Sequence, residues 1–494
     1  MNKKQTIYLL FLIIALGAFL RFYNLGGESF WLDEGVTSTV IKNYSTLEIV
    51  KNIISKGQVL PEYYSIKYDL PIYYMLLSSW ADIFGISEFS LRSFSAIFGV
   101  LALIALFYLV KYIFNDKIAL LSTFLASINL TLIWYSQEAR IYSYLLFLSL
   151  LSLIFLVKSL KEGKIKYIAG LVITNILIVY SNFPWLIFIT FEALYVGFII
   201  YQDYAKKRAL DKKIILAFFI VGLLYLPIID RALFSQADNV NLYGRPNISQ
   251  VAVFGMQLST WLYPTEAMKQ KIYEFTLNFS LYEWLLLFSV LLSSLLISLF
   301  FFLGILRSEK KDSSIFLLLM FFFPISVSLL LSLVHPNITI FQLKQIIYVI
   351  PSFLVFASIG ILKNNLSKSL IIFVIILSLL PLHAYYSNPD KQQFREAAKY
   401  LPENEIIFTN IETAQIAFKY YYGDKANVIA VKNLEELESF LNRKLGKKDS
   451  FWMLLTFTKY SDPEGQIKNF LNKNYKLVEK RDFFDIELLH YESI

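Results

Sequence analysis

The chain has 494 residues, of which 56% are hydrophobic, 17% aromatic and 17% charged, and its mean hydropathy is +0.54. Soluble domains carry about 25% charged residues, so this composition excludes an ordinary soluble protein and indicates one that crosses a membrane several times. The net charge of +8 does not indicate nucleic-acid binding, because the basic residues cluster in short loops between apolar runs. The sequence has no cysteine, which excludes disulfide bonds and thiolate chemistry.

Apolar runs recur along residues 1–388, and a crossing helix needs about 20 apolar residues. We expect the first run to be an uncleaved span, because no small-residue cleavage site follows it and Arg21 comes directly after. A shorter run, Pro71–Phe84, contains two serines and an aspartate, and we predict that it lies along the membrane surface. The predicted spans number about eleven and lie near residues 5–24, 91–112, 117–135, 140–159, 166–182, 184–202, 213–230, 281–306, 314–334, 345–362 and 369–386.

The positions of the lysines and arginines predict the orientation. With the N-terminus in the cytoplasm, the short lysine-rich loops between spans fall inside, while the short outer loops carry little beyond Arg140 and Lys344. The positive-inside rule favours this arrangement, so we predict a multi-pass cell-membrane protein whose residues 25–90, 231–280 and 389–494 lie outside. The inner residues are Lys111, Lys117, Lys158, Lys161, Lys164, Lys166, Lys206, Lys207, Arg208, Lys212, Lys213, Arg307, Lys310, Lys311, Lys363 and Lys368.

The outer segments differ in how much structure they predict. In the first, Gly35–Tyr44 is expected to form a short helix, and Ser45–Glu48 has the pattern of a capping box that begins a second helix ending near Gly57. The second, near 231–280, shows no clear periodicity. In the third, 389–494, charged helical and strand-like segments alternate, which predicts a small α/β domain beside the all-α polytopic membrane domain of residues 1–388.

The predicted helices of this C-terminal domain are Gln392–Leu401, Glu412–Tyr422, Leu434–Leu445 and Gln466–Asn472. The predicted strands are Glu405–Thr409, Val428–Val431, Phe451–Thr458 and two within Leu477–Leu489. Because the domain has no glycine-rich phosphate loop and no cluster of metal ligands, we expect an accessory or acceptor-recognition role.

Asp33 and Glu34 are the leading functional candidates. Carboxylates at a membrane boundary are costly to desolvate, so their presence there by default indicates function. Asp33 and Glu34 could also simply cap the helix that follows. The predicted topology adds Asp69 on the acidic side and three cations, Arg92, Arg140 and Lys344, at outer helix ends. Cations there can hold a phosphate while a carboxylate removes a proton, although such cations also anchor helix ends at the interface. Asp82 and Glu88 are expected to be solvated.

The order of these motifs resembles the dolichyl-phosphate-mannose protein mannosyltransferase-like group of C-type membrane glycosyltransferases, to which the lipid A aminoarabinose transferases belong. The similar stretches are Trp31–Glu34, Asp69–Tyr74, Phe84–Arg92, Tyr135–Tyr142, and Lys344–Pro351, where many members have Arg-Tyr-Leu before a proline. Pro389-Asp390-Lys391 leading into Phe394–Ala398 is similar to the start of the extracytoplasmic tail of bacterial and archaeal members.

The resemblance implies transfer of a mannose-like or related sugar from a polyprenyl-phosphate carrier to an extracytoplasmic acceptor, usually with inversion. It implies that Asp33 deprotonates the acceptor hydroxyl and that Glu34 orients acceptor or sugar. Leu70 stands where the family has its first proline, so the carry-over to Asp69 is indirect. Lys344 stands where arginine is common, which keeps the charge and loses the bidentate fork. The residues implied to bind the lipid phosphate or sugar are Asp69, Arg92, Glu138, Arg140 and Lys344.

The sequence leaves several points open. The acceptor is a lipid, a protein or a polysaccharide, and the expected partners are this acceptor, the lipid-linked donor and membrane lipids, with no nucleic acid. Whether Asp33, Glu34 and Asp69 together bind a divalent metal is left open, and no other cofactor is implied. A multi-span transporter is a second class, which the absence of an internal repeat disfavours. A polymerase or ligase of lipid-linked polysaccharide is a third, although it would usually have a large central outer loop.

Overall fold

The computed structural model describes residues 2–56, 70–206, 212–234, 245–260, 279–335, 340–364, 368–423, 427–444 and 450–494. The chain divides into two compact units. Unit 1 consists of Met1–Tyr23, Tyr68–Tyr73 and Ser93–Asn388. Unit 2 consists of Asn24–Lys67, Tyr74–Arg92 and Pro389–Ile494. The first outer segment therefore groups largely with the C-terminal domain, an association that the sequence did not predict.

Sixteen helices are described before residue 389. They are α1 (Lys3–Phe22), α2 (Leu32–Asn43), α3 (Thr46–Lys56), α4 (Pro71–Phe84), α5 (Glu88–Ile113), α6 (Asp116–Ile128), α7 (Leu130–Ser136), α8 (Tyr142–Glu162), α9 (Ile165–Val179), α10 (Leu186–Ala205), α11 (Lys212–Phe234), α12 (Ile248–Ser259), α13 (Leu281–Arg307), α14 (Lys311–Val334), α15 (Ile350–Lys363) and α16 (Lys368–Ser387). Short 3-10 turns lie at Phe183–Trp185, Leu343–Gln345 and Ile347–Val349.

The predicted fold class is confirmed, since every predicted apolar run coincides with a helix or a bent pair of helices and a small α/β domain follows. Within the described residues, 6 helices are long and apolar enough to cross a membrane, and the pair α6 and α7 adds a seventh if it is one span. Four shorter apolar helices account for the other predicted runs: Ile165–Val179, Lys213–Pro227, Ile347–Lys363 and Ile372–Ser387. The protein is therefore a multi-pass membrane protein.

Two local features explain the packing of unit 1. Helices α13 and α15 approach closely at Gly304 and Gly360, where an added Cβ would lie 1.8 Å and 1.9 Å from a backbone oxygen of the other helix. Between α6 and α7 the chain bends by 62° at Asn129. The Asn129 side chain caps α7 and donates from its amide to the carbonyls of Leu258 and Ser259 at the end of α12, which fixes the bend.

Helix α4 has 14 residues, so its length is about 21 Å, too short to cross a hydrocarbon core of about 30 Å. The prediction that Pro71–Phe84 lies along the membrane surface stays a prediction. Helix α2 begins at Leu32, three residues before the predicted start, so that Asp33 and Glu34 belong to its first turn. The predicted capping box is present, with Ser45 N donating to Glu48 Oε2 at 2.9 Å.

The C-terminal domain contains a five-stranded sheet in the order β2-β1-β3-β5-β4. Strands β1, β2 and β3 are parallel, whereas β5 pairs antiparallel with both β3 and β4. The strands are β1 (Ile406–Thr409), β2 (Asn427–Ala430), β3 (Ser450–Leu455), β4 (Tyr475–Phe483) and β5 (Ile486–Ser493). The helices are α17 (Phe394–Tyr400), α18 (Glu412–Tyr422), α19 (Leu434–Lys444), α20 (Thr458–Ser461) and α21 (Gln466–Asn474).

Alternate residues of the sheet contribute to two separate cores, as the two-residue period of a strand requires. Trp452 and Leu454 pack with α17 and α18 in one core, which also contains Leu32 of α2. Phe451 and Met453 pack with α19 and α21 in the other. The start of α2 is thus part of a core that belongs mainly to the C-terminal domain.

Candidate active site

The first turn of α2 carries the two carboxylates singled out by the sequence. Leu32 is buried in the core formed with α17 and α18, and Trp31 packs against the same core. Asp33 and Glu34 occupy the second and third helical positions. The positive end of the helix dipole favours ionised carboxylates there, so a capping role and a catalytic role are compatible.

Glu34 lies at the centre of a buried group of charges in unit 2. Its side chain is 0% exposed, and Arg92 donates to it twice, from Nε to Oε1 at 2.8 Å and from Nη2 to Oε2 at 2.7 Å. Nζ of Lys391, whose side chain is 3% exposed, lies 3.6 Å from Oε2. A buried charge is costly unless it is paired, so these two cations compensate the carboxylate of Glu34.

Arg92 is bound on every donor that it has. Besides the two bonds to Glu34, its Nη1 donates to the carbonyls of Leu25 at 3.0 Å and Glu28 at 2.8 Å. Its Nη2 donates to the carbonyl of Ser29 at 2.8 Å. Arginine has five N–H groups, so all of them are donated within unit 2. Phosphate binding by Arg92 stays a prediction, for which this arrangement leaves no N–H; the geometry assigns Arg92 to holding the chain before α2.

A second charged group lies beside the first. Glu88 accepts from Arg395 Nη1 at 2.9 Å and from the Tyr421 hydroxyl at 2.9 Å, and its side chain is 16% exposed. The expectation that Glu88 is solvated was wrong, because its partners come from the distant C-terminal domain. The Tyr421 hydroxyl also accepts from the backbone N–H of Phe30 at 2.6 Å. Burial, together with the Glu88 carboxylate, raises the pKa of Tyr421, so this hydroxyl remains a neutral donor.

Asp33 differs from its neighbour in exposure. Its side chain is half-buried where that of Glu34 is fully buried. Consecutive helical residues point about 100° apart, so the two carboxylates lie in different surroundings. The Thr37 hydroxyl donates to the backbone carbonyl of Asp33 at 3.2 Å, one turn further along α2. The residue predicted to act as base is therefore accessible on a helix that its neighbours hold in place.

The remaining predicted site residues belong to unit 1, apart from Asp69, which lies outside the described residues. Glu138 is buried and accepts from Trp134 Nε1 at 2.5 Å. Arg140 and Lys344 are half-buried, Lys344 within the 3-10 turn Leu343–Gln345. The backbone carbonyl of Arg140 accepts a hydrogen bond from the Ser95 hydroxyl at 3.0 Å.

Gln137 fixes the turn that carries Glu138 and Arg140. Its amide Nε2 donates to three carbonyls at the end of α1, the nearest being that of Tyr23 at 2.9 Å. The Tyr385 hydroxyl of α16 donates to Gln137 Oε1 at 2.6 Å. Buried amides need such partners, so the turn is tied to two helices of unit 1. The sequence motif contained Gln137 but gave it no role.

Asp33, Glu34 and Asp69 were suggested as ligands of a divalent metal, but the surroundings of Glu34 do not suit one. Both oxygens of Glu34 accept from Arg92, and a second cation, Lys391, lies beside them. Within the ranges that the structure describes, no group of three or more histidines, cysteines, aspartates and glutamates could hold an ion. We therefore derive no step of the reaction through a metal.

Lys391, Arg395 and Tyr421 are the residues of this site that sequence reasoning missed. The Pro389–Lys391 motif marked the start of the C-terminal domain, yet nothing local indicates that Lys391 meets a carboxylate 357 positions earlier. Tyr421 and Arg395 lie on helices whose boundaries were predicted. Only the tertiary packing of these helices against residues 24–35 shows their partners.

Comparisons with known proteins confirm the resemblance and the fold. Residues 70–229 match the family model described as dolichyl-phosphate-mannose-protein mannosyltransferase. No curated protein matches the sequence. ArnT from Cupriavidus metallidurans, solved with undecaprenyl phosphate bound, shares the fold with a TM-score of 0.53 at 10% identity, covering 98% of this chain and 97% of that one.

The archaeal oligosaccharyltransferase AglB from Archaeoglobus fulgidus, solved with an inhibitory peptide and a dolichol-phosphate, is similar with a TM-score of 0.51 at 13% identity. That match covers 99% of this chain and 74% of the other. A likeness to a zinc- and sulfate-containing structure of the Archaeoglobus fulgidus oligosaccharyltransferase has the same TM-score, 0.51, at 14% identity. The fold is therefore the one that these two membrane proteins share.

Proposed function

We propose that this protein is a membrane glycosyltransferase that moves a sugar from a polyprenyl-phosphate carrier to an acceptor hydroxyl, with Asp33 as the general base. The observation that carries the proposal is the division of labour within the first turn of α2. Glu34 is buried and bound by Arg92, whereas Asp33, next to it, is half-buried on the same helix. A base must reach its substrate and keep a fixed position, and this pair supplies both properties.

In the proposed reaction, the carboxylate of Asp33 takes the proton of the acceptor hydroxyl. The oxygen attacks the anomeric carbon while the bond from that carbon to the phosphate oxygen breaks. The lipid phosphate leaves with the bonding electrons, and the configuration at the anomeric carbon inverts. Glu34 and Arg92 act through Asp33, because they hold the turn on which it lies.

The comparisons support a polyprenyl-phosphate sugar as the donor. The family model is named for a dolichyl-phosphate sugar donor. The similar structures were solved with undecaprenyl phosphate and with a dolichol-phosphate. Arg140 and Lys344 are proposed to bind the lipid phosphate, where their positive charge would stabilise the leaving group. Asp69 and Glu138 are proposed to bind the sugar or the phosphate, and the sequence pattern is the basis of this proposal.

We further propose a cytoplasmic N-terminus and an extracytoplasmic C-terminal domain, since the lysine-rich loops are then inside. Asp33, in the first outer segment, would meet its acceptor outside the cytoplasm. The sugar is a mannose-like or related hexose or pentose, and the acceptor is a lipid, a protein or a polysaccharide.

A donor panel tests the proposed function. The purified protein would be incubated with polyprenyl phosphates carrying different sugars and with extracted envelope lipids, proteins and polysaccharides. Mass spectrometry is expected to show one donor consumed and one acceptor heavier by a single sugar. Stepwise growth of a lipid-linked chain would instead indicate a polymerase, and a panel left unconsumed under all conditions would contradict a transferase.

A further inference from the structure

The C-terminal domain has so far no part in the proposed reaction. Resting on that proposed function, we propose that the domain positions the base: Lys391 and helix α18 hold the first turn of α2, so that Lys391 is a positioning residue for Asp33. Neither the family match, which covers residues 70–229, nor the sequence pattern assigns this role.

The domain contacts α2 on both sides of Asp33. Before it, Leu32 is buried in the core built by α17, α18 and the sheet. After it, Gly35 lies against Ala417 of α18, where a Cβ on Gly35 would come within 2.4 Å of the Ala417 Cβ. Such a close approach of two helices requires glycine at the crossing, because any larger side chain would push the helices apart. The residues on either side of Asp33, Leu32 and Gly35, therefore both contact the C-terminal domain.

The segment that contains Lys391 binds the chain leading into α2 at successive residues. The backbone N–H of Asp390 donates to the Glu28 side chain at 2.6 Å. The Ser29 hydroxyl donates to the carbonyl of Gln392. Between these two contacts, Lys391 places its ammonium 3.6 Å from the Glu34 carboxylate. Two hydrogen bonds and one ion pair thus join residues 390–392 to Glu28, Ser29 and Glu34.

The ammonium of Lys391 is buried and therefore needs a compensating charge. Its side chain is 3% exposed, and burying an ammonium is expensive unless a carboxylate compensates it. Glu34 already has Arg92, which fixes it to the backbone of residues 25–29. Lys391 adds the link from the same carboxylate to the C-terminal domain. The ion group therefore joins the Asp33 helix to the domain at the residue next to the base.

A displaced base lowers turnover, because a misplacement of about 1 Å costs about 10²-fold in rate. Lys391→Met removes the charge at similar length, so we expect kcat to fall by about 10- to 100-fold while KM for the lipid-linked donor stays near that of the wild type. Lys391→Arg keeps the charge and should restore most of kcat. Lys399→Met, at an exposed lysine of the same domain, is the matched control and should leave both constants unchanged.

Since the chain has no cysteine, the position of residue 33 can be measured without any transfer reaction. Asp33→Cys would be the only thiol, and the rate of its labelling by a maleimide in detergent reports its surroundings. We expect Lys391→Met to change that rate severalfold and Lys399→Met to leave it alone. Gly35→Ala, which forces α2 away from Ala417, should produce the same change, and it replaces Lys391→Met if that variant does not fold.

The two readouts separate the two proposals. Wild-type kcat and wild-type labelling in Lys391→Met, or in Gly35→Ala as its substitute, would overturn the positioning role even if the wild-type protein transfers sugar. If the wild-type protein transfers none, the proposed function fails, and the labelling rates still decide whether Lys391 positions residue 33. A loss of kcat that Lys391→Arg does not restore, with unchanged labelling, would also contradict the positioning role.

Discussion

Glu34 accepts two hydrogen bonds from Arg92, at 2.8 and 2.7 Å, and the two side chains are 0% and 2% exposed. The two residues lie 58 positions apart in the chain. Their pairing connects the first turn of α2 to the second turn of α5. Because Arg92 also holds three backbone carbonyls before α2, the pair determines how the chain enters the helix that carries Asp33.

Breaking this pair should destabilise unit 2 strongly. Arg92→Met leaves a buried carboxylate with less compensation and three carbonyls without their donor, and the loss of one partner of a buried pair costs about 3–5 kcal/mol. We expect a clear fall in the melting temperature measured in detergent. Arg481→Met is the control, since Arg481 pairs with Glu479 at the surface, where solvent screens the ion pair and its loss should change stability little. Equal melting temperatures of the two variants would show that the pair is not structural.

A double-mutant cycle separates the pair from the other bonds of Arg92. Glu34→Gln combined with Arg92→Met should be less destabilised than the sum of the single variants, because the double variant buries no uncompensated carboxylate. The double variant should still melt below the wild type, since the carbonyls of residues 25, 28 and 29 have lost their donor. Strict additivity would mean that Glu34 and Arg92 are not coupled.

Tyr421 predicts a pH dependence in the alkaline range. Burial and the nearby Glu88 raise the pKa of Tyr421 above its usual value of 10.0. The folded state therefore binds the phenolic proton more tightly than the unfolded state. The resulting stability is fully present below the unfolded pKa of about 10 and is lost as the pH rises above it.

The variant Tyr421→Phe isolates this effect. It lacks the bonds to Glu88 and to the Phe30 N–H, so it should melt below the wild type at pH 8. The difference in melting temperature between the two proteins should shrink as the pH rises beyond about 10, because the wild type then loses the contribution of the hydroxyl. A difference that stays constant from pH 8 to pH 11 would rule out this account of Tyr421.

Cysteine scanning tests the proposed orientation. Because the sequence has no cysteine, Lys164→Cys and Lys399→Cys each give a protein with one thiol. In intact cells, a membrane-impermeant maleimide should label position 399 and should not label position 164, because the lysine-rich loops are proposed to be inside. Labelling of position 164 from outside would reverse the topology after the first outer segment and make Pro71–Phe84 a crossing helix.

Much of the fold follows from local patterns in the sequence. Hydropathy predicted the apolar helices, and the predicted helix Glu412–Tyr422 has those bounds in the structure. Helix α12 was missed, although Asn247 and Gln250 form a capping box at its start. That capping pattern could be recognised in the sequence, although no clear periodicity was recognised across residues 231–280. The four-residue helix α20 was also missed, because the strand before it was predicted to continue to Thr458. Local signals of propensity and capping therefore predict most, and not all, of the helices.

The candidate site was predictable only in part. The sequence singled out Asp33 and Glu34 together and gave no physical reason to separate them. The separation comes from burial, which depends on Lys391 and Arg92 meeting Glu34 from distant parts of the chain. The same limit explains Glu88, whose partner Arg395 lies 307 positions away. Pairing between distant charges leaves no periodic signal, so the fold must be known first.

The most direct measurement is sugar transfer by Asp33→Asn, compared with Asp82→Asn at an exposed aspartate of unit 2 as the control. Both variants should reach the membrane and melt like the wild type. If Asp33 is the base, transfer from the polyprenyl-phosphate donor by Asp33→Asn should fall by about 10²- to 10⁴-fold, whereas Asp82→Asn should transfer at the wild-type rate. Transfer by Asp33→Asn at the wild-type rate would contradict the account, because no proton acceptor would then remain at that position.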